Sequence, residues 1–563
     1  MPIRICRAHA LGLAIGASWF LAACAPTGDT RPDGTTASSL TPEARLEAAE
    51  AALQRHDYPA AAKGYREAAQ QSDDETLAEQ ATRVSFDHHQ LRQAALAAER
   101  WLQLNPTSEN ARRYAGIVAL KLHRLDEAEQ QFASLLETVY ISPAAGFLAL
   151  APVVSGEAAA ADVMELFRRL SARHPAVAEG HYAYAAAALR ADNYLAAEQA
   201  AQTAVAKAPH WKPARMLLAR AHIASGRDEE GLAMARELVT DPDSDVGIHL
   251  EYAMMLAATG RSEEARAMLT PYATGKTVIP SAVRTLGVME LDAGNLDAAS
   301  AQFESLLSTG SQSYEALYYL GVIAERRKDL DRAVRYYARV AAGDYSLPAQ
   351  QRVARIKAEQ SGVEAGLAHL DEVARSQPQS APALYSAKAS LLSLEGDDRR
   401  AAKVYDQGIE RYPDVLDLRM NRVFFQERTG KQDAAIRDLR ELLAERPGDA
   451  QLQNALGYTL ADNDRNLDEA RRLLTDALAQ SPDSAATLDS MGWLLYREGK
   501  YAEALSYLQR ASKSAADPEI HLHIGEVQWA MGEQEAARQT WAAALERTPD
   551  DDRLRKRLER AGR

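Results

Sequence analysis

Residues 484–514 read SAATLDSMGWLLYREGKYAEALSYLQRASKS, and the fold follows from this stretch. Its first half has the apolar spacing of a helix of about fourteen residues, with a small residue, Gly492, near the middle. Gly499-Lys500 ends that helix, because Gly supplies the left-handed residue that closes a helix C-terminus. The second half is helical again and carries Ala504 and Ala511. Small residues at these places let the two helix backbones pack closely. The spacing of Gly492, Gly499, Ala504 and Ala511 returns immediately downstream as Gly525, Gly532, Ala537 and Ala544. Self-similarity at a short fixed period marks a stacked array rather than one globular core.

Working outward, prolines mark unit ends at Pro175, Pro209 and Pro242, then at Pro378, Pro413, Pro447 and Pro482, and finally at Pro549. Within the first two groups every interval stays close to one period, and the last interval is two periods. Pro at these points stops the second helix. Small residues recur in the first helices at Ala253, Gly287, Gly321 and Gly457, and in the second at Ala197, Ala265, Ala333, Ala435 and Ala470. The turns between them read Gly226-Arg227, Gly260-Arg261, Gly294-Asn295, Gly396-Asp397 and Gly430-Lys431. Fifteen helix pairs are predicted, beginning near 42, 74, 108, 144, 176, 211, 244, 280, 312, 347, 380, 415, 449, 484 and 517. The pair at 144–175 departs from the pattern. Pro152 is expected to interrupt its first helix, so it is a degenerate repeat or a bend. The charged segment 550–562, DDDRLRKRLERAG, reads as a capping helix with a water-facing side.

This pattern resembles the tetratricopeptide repeat, a helix–turn–helix unit of about 34 residues with small residues at fixed positions and a terminal Pro. The resemblance covers 41–549 and implies an all-α, right-handed superhelical solenoid of about fifteen units, followed by a capping helix over 550–563.

Composition agrees with an all-helical chain. Gly (31) and Pro (22) are sparse for 563 residues, which disfavours a loop-rich or all-β protein. The formal net charge is −14, which suits a phosphate backbone poorly, so nucleic acid is not an expected partner. The two cysteines are Cys6 and Cys24, which leaves no disulfide framework or Cys-rich metal site in the array.

The first 23 residues read as a signal peptide. Arg4 and Arg7 precede AHALGLAIGASWFLAA, an apolar run of sixteen residues that is short beside the roughly 20 needed to span a bilayer. The run ends Leu21-Ala22-Ala23-Cys24. This resembles the lipobox of bacterial lipoproteins, which implies cleavage before Cys24 and acylation of its thiol. An ordinary signal peptide with an incidental Cys is the other reading. Two or three acyl chains hold a protein stably on a membrane where one does so only marginally. Ala25 follows the cysteine where Asp favours inner-membrane retention, so the resemblance implies the outer membrane, periplasmic face. Residues 24–40, the cysteine and APTGDTRPDGTTASSL, read as a flexible tether with a reach of about 20–24 Å.

No catalytic motif survives inspection, and no cofactor or metal is expected. Thr274-Gly275-Lys276-Thr277 ends like a phosphate-binding loop, but Thr270 stands where that motif needs Gly and a helix is predicted where it needs a strand. Asp87-His88-His89 lacks a matching ligand pair and reads as a polar turn. His521 and His523, two apart on a helix, diverge. The chain is therefore read as a non-enzyme.

In tetratricopeptide families the second, fifth, ninth, twelfth and thirteenth positions of a unit face the ligand. With Gly492 as the eighth position, Asp489 is fifth, Trp493 ninth, Tyr496 twelfth and Arg497 thirteenth. Phe424 and Tyr458 are ninth positions of the two preceding units, and Trp529 is a twelfth position downstream. Two readings stand for this aromatic row: a partner-binding surface on the concave face, or packing between repeats. Tyr318-Tyr319 and Tyr336-Tyr337 mostly fall on packing positions.

A lipobox, a tether and a long repeat array together are similar to the LbcA-type outer-membrane lipoproteins, adaptors of the carboxyl-terminal processing protease CtpA. The resemblance implies a scaffold that holds a protease and presents substrates such as cell-wall hydrolases. The alternative is a repeat lipoprotein of exopolysaccharide export or outer-membrane assembly.

Overall fold

The structure, a computed structural model, describes residues 41–274, 278–514, 517–548 and 551–561. The signal segment and tether, with Leu21, Ala22, Ala23 and Cys24, lie outside the described residues, as do Gly275, Lys276 and Thr277. Thirty-one α-helices and one 3-10 turn (Pro378–Ser380) are present among the described residues, and no strand is. They run from α1 (Pro42–Gln54) to α31 (Asp552–Ala561) as fifteen antiparallel pairs and a final helix. Here repeat 1 is the first pair and repeat 15 the last. Each observed first helix starts within two residues of the position given by the sequence.

Short polar residues start many of the helices. Ser484 accepts from the amide of Thr487, Ser108 from that of Ala111, and Asp449 from those of Gln451 and Leu452. These caps satisfy amides that have no partner within the helix. The repeated small residue of the first helix has a steric cause. A Cβ added to Gly492 would lie 2.6 Å from Leu508, one on Gly457 2.7 Å from Leu474, and one on Gly116 2.7 Å from Phe132. In each of these repeats a large side chain of the second helix fills the space left by the glycine. The final helix buries Leu554 and Ala561 against the last pair.

Repeat 4 corrects one expectation. Its first helix, α7 (Pro143–Glu157), runs uninterrupted through Pro152. Phe147, Leu150 and Val154 are fully buried along one face, and this packing holds the helix despite the donor missing at Pro152. The irregularity lies at the junction instead. Only Ala158 and Ala159 join α7 to α8 (Ala160–Arg173), with no left-handed turn residue between them. As a result α7 packs chiefly on α9 (Ala178–Arg190), while α8 packs on the second helix of repeat 3 as well as on α9. Of the two readings, the degenerate repeat describes this unit.

Candidate functional site: the inner wall of the array

First helices of successive repeats touch one another along much of the array, whereas second helices do so at few places. In a curved stack the closer row is the inner one, so the first helices form the inner wall. Counting back from Phe424 in whole repeats reaches Met254 and Pro152. All three are open to solvent, Phe424 at 55% and Met254 at 47%. Leu148 and Val153 beside Pro152 are exposed too. A hollow of about 150 Å³ opens between the first helices of repeats 5 to 7, with Met216 and Ile248 on its apolar side and Lys212, Arg220 and Glu251 at its rim.

The C-terminal aromatic residues divide sharply. Phe424 projects freely. Tyr458 is half-buried and its hydroxyl donates to Glu519 (3.2 Å); burial, reinforced by Glu519 and Asp462, raises its pKa. Trp493 is buried, stacked on His523 (centroids 4.2 Å apart) and on Tyr496 (4.9 Å), and its indole N–H donates to Asp462 (3.0 Å). Arg497 pairs with Asp464 and lies over the Trp493 ring. Asp489 is buried and accepts from His523 Nδ1 (2.9 Å). Trp529, half-buried, stacks on Trp541 under Arg538. Phe424 is thus the one of the seven aligned residues that stands fully open. Asp489 and Trp493 are held inside a packing network, with Tyr458, Tyr496, Arg497 and Trp529 at its edge. Met254, Pro152 and Leu148 are legible only by extending the repeat count into units with no aromatic residue at that place. Tyr318, Tyr319 and Tyr337 pack together within repeat 9, and Tyr319 stacks on Phe303 of repeat 8, the packing role expected.

The buried His523–Asp489 pair makes the network pH-dependent. Burial opposes charge on His523, but the hydrogen bond to Asp489 and the nearby Glu519 and Asp462 outweigh it and raise the pKa above 6.5. Stability from such a group is complete below its unfolded value and is lost as pH rises through the folded one. The C-terminal repeats are therefore expected to melt at lower temperature as pH rises from 6.5. His523→Gln is expected to flatten that profile, and an unchanged profile would assign the dependence to other groups.

His88 and His89 lie at the turn between the helices of repeat 2, the polar turn expected from sequence. Among the described residues, no cluster of three or more His, Cys, Asp or Glu is arranged to hold a metal, and no helix is long and apolar enough to cross a membrane.

Family comparison bears on the same units. Tetratricopeptide-repeat models match residues 285–346 and 426–485, and a further one matches 495–560. These segments are tetratricopeptide repeats. A TPR repeat-containing protein of Pseudomonas aeruginosa, PA4667, is 38% identical over 211 residues, covering 38% of this chain and 36% of that protein. The human aspartyl/asparaginyl beta-hydroxylase is 24% identical over 211 residues, covering 34% of this chain and 27% of its own length. The chain thus matches about a third of the length of these curated relatives. Among solved structures, a thermophilic TPR protein of Thermus thermophilus is 22% identical, covering 32% of this chain and 98% of its own (TM-score 0.29). Yeast Tom70 is 13% identical over 92% of this chain and 95% of its own (TM-score 0.37). A tetratricopeptide array is a scaffold for binding other proteins and is generally not a catalyst.

Proposed function

We propose that this chain is a lipid-anchored adaptor on the periplasmic face of the outer membrane, acylated at Cys24, whose inner wall holds a carboxyl-terminal processing protease and presents substrates such as cell-wall hydrolases. The observation that carries the binding role is the cluster of open apolar side chains on α7 of the inner wall, Leu148, Pro152 and Val153, with Met254 and Phe424 standing open singly further along. Exposed apolar side chains gathered on one surface mark a protein-binding face. The anchoring role rests on Leu21-Ala22-Ala23-Cys24 and the polar segment after it. The partner class rests on resemblance to adaptor lipoproteins of the same plan. An anchor gives the binding surface a purpose, because tethering replaces a three-dimensional search by a local one.

The test is co-purification under mild detergent from cells carrying the native chain, Cys24→Ser or Phe424→Ala, with palmitate labelling. The native chain is expected to label, to sediment with the outer membrane and to retain a protease. Cys24→Ser is expected to lose label and sedimentation, and Phe424→Ala to keep both while retaining less partner. A Cys24→Ser protein that stays on the membrane as mature chain overturns the anchor. Recovery of polysaccharide-export components in place of a protease overturns the adaptor assignment.

A further inference from the structure

In nearly every repeat, the turn between the two helices carries a residue with positive φ. Glycine fills it at Gly226, Gly260, Gly294, Gly362, Gly396, Gly430, Gly499 and Gly532. In repeats 1, 2 and 3 the same place holds His56, His89 and His123, with φ of 59°, 57° and 59°. Asp192, Lys328 and Asp464 fill it in isolated repeats further on, but only here does one side chain recur in three consecutive turns. This backbone is unfavourable for a residue with a Cβ. A side chain kept there against that preference points to a role for the side chain.

Two of the turns touch a distant part of the array directly, one through the His56 carbonyl and one through the His89 side chain, and the third, at His123, reaches it through Asp162. The His56 carbonyl accepts from the Arg411 guanidinium, which lies 4.9 Å from the Tyr58 ring centre. Tyr58 also stacks on His88 at 4.2 Å. His89 Nε2 donates to the Gln379 carbonyl (2.7 Å), and the Gln90 amide to the Arg411 carbonyl (3.0 Å). The Arg92 main-chain amide and guanidinium both bind Asp414 (3.0 and 2.9 Å), and the guanidinium also reaches Glu445 (2.9 Å). His123 Nδ1 donates to Asp162 (2.6 Å), whose other oxygen takes Arg446 (3.1 Å). Seam partners from opposite sides are 284 to 355 residues apart. The turns at one edge of repeats 1 to 3, with Asp162 of repeat 4, thus meet the loops joining repeats 10 to 13. The array comes back on itself edge to edge.

The character of the seam differs from that of the repeats. Repeats hold together by broad buried apolar faces, whereas the seam has one small apolar contact, Tyr58 buried beside Tyr412 (centroids 6.3 Å apart), ringed by hydrogen bonds and ion pairs. It encloses a hollow of about 260 Å³ walled by Arg92, Lys121, Arg124, Asp414, Arg419 and Glu445. Arg92 and Glu445 are 55% and 41% exposed along their side chains, so salt screens that pair, while the pair with the buried Asp414 is screened less. We propose that the seam is a releasable clasp: closed, it fixes one turn of the array against the next and shuts the side of the inner groove; open, it leaves every repeat folded and frees that side. Its use for admitting a folded partner rests on the scaffold reading above, whereas the opening itself does not.

The Arg92 amide is a built-in reporter. It lies in the first turn of its helix, where amides lack a helical acceptor, and its acceptor is Asp414 across the seam. The experiment is hydrogen exchange on the full chain carrying His89→Gly, His123→Gly and Arg446→Gln. Glycine relieves the turn backbone while deleting the His89–Gln379 and His123–Asp162 contacts, and Arg446→Gln removes the ion pair with Asp162, so weakening of the seam and loss of fold separate. Exchange in peptides covering Arg92 is expected to rise at least tenfold, with helix content unchanged. The native chain moved from low to high salt is expected to show a smaller rise at the same place. Unchanged Arg92 exchange in the helical variant overturns the clasp, as does a rise spread evenly over all repeats. Partner capture is scored separately, so failure of the scaffold reading leaves this result intact.

Discussion

Trp493→Ala is expected to destabilise the C-terminal repeats by about 3–5 kcal/mol, the usual cost of emptying a large buried aromatic site. Trp493 fills the space between His523 and Tyr496, and its removal also leaves Asp462 without the indole donor. Stability in a repeat array is the sum of units and their neighbouring interfaces, so the loss is expected in repeats 13 to 15 and not in the first half. Denaturant unfolding read by hydrogen exchange over 450–548 measures it. Phe424→Ala is the control from the same row. An open side chain away from special features is expected to change stability by no more than about 0.5 kcal/mol, while weakening partner capture. If Trp493→Ala is as stable as the native chain, the packing role assigned to it is wrong.

A comparable loss, about 3–5 kcal/mol, is expected for Phe147→Ala, with a different local outcome. Phe147 is fully buried and reaches Phe167, His174 and the backbone at Gly180, where an added Cβ would sit 3.0 Å away. The ring is one of three fully buried side chains, with Leu150 and Val154, that attach α7 to its neighbours. The variant is expected to open α7 selectively, giving proteolytic cleavage within 143–159 while the flanking repeats stay protected. Cleavage spread across the array would show that repeat 4 does not depend on this contact.

The repeat starts are legible in the sequence because they depend on local chemistry: caps, turn glycines and prolines recur from unit to unit with short-range causes. Trp493 and Phe424 occupy equivalent register positions, yet one is buried and the other open. What separates them lies in the neighbours: His523 and Asp462 close over Trp493, and nothing closes over Phe424. Periodicity records a position and not what lies opposite. Pro152 misleads because a lost hydrogen bond is visible in sequence while the compensating burial of Phe147, Leu150 and Val154 is not. The seam is harder still. The repeat period reports contacts between neighbours, but closure depends on small rotations summed over many units. A signal is present nonetheless in His56, His89 and His123, spaced one period apart where other turns carry Gly.

An array joined only to its neighbours can gain or lose a unit by duplication or deletion, because all its junctions are alike. This one cannot do so everywhere. His89 meets Gln379 and Arg92 meets Asp414 only if a fixed number of units lies between them. One unit more or fewer would carry the returning edge past its match and set histidine turns against the wrong loops. The number of units between His89 and Gln379 is thereby fixed, and a unit is expected to be gained or lost without breaking the seam only outside the closed stretch.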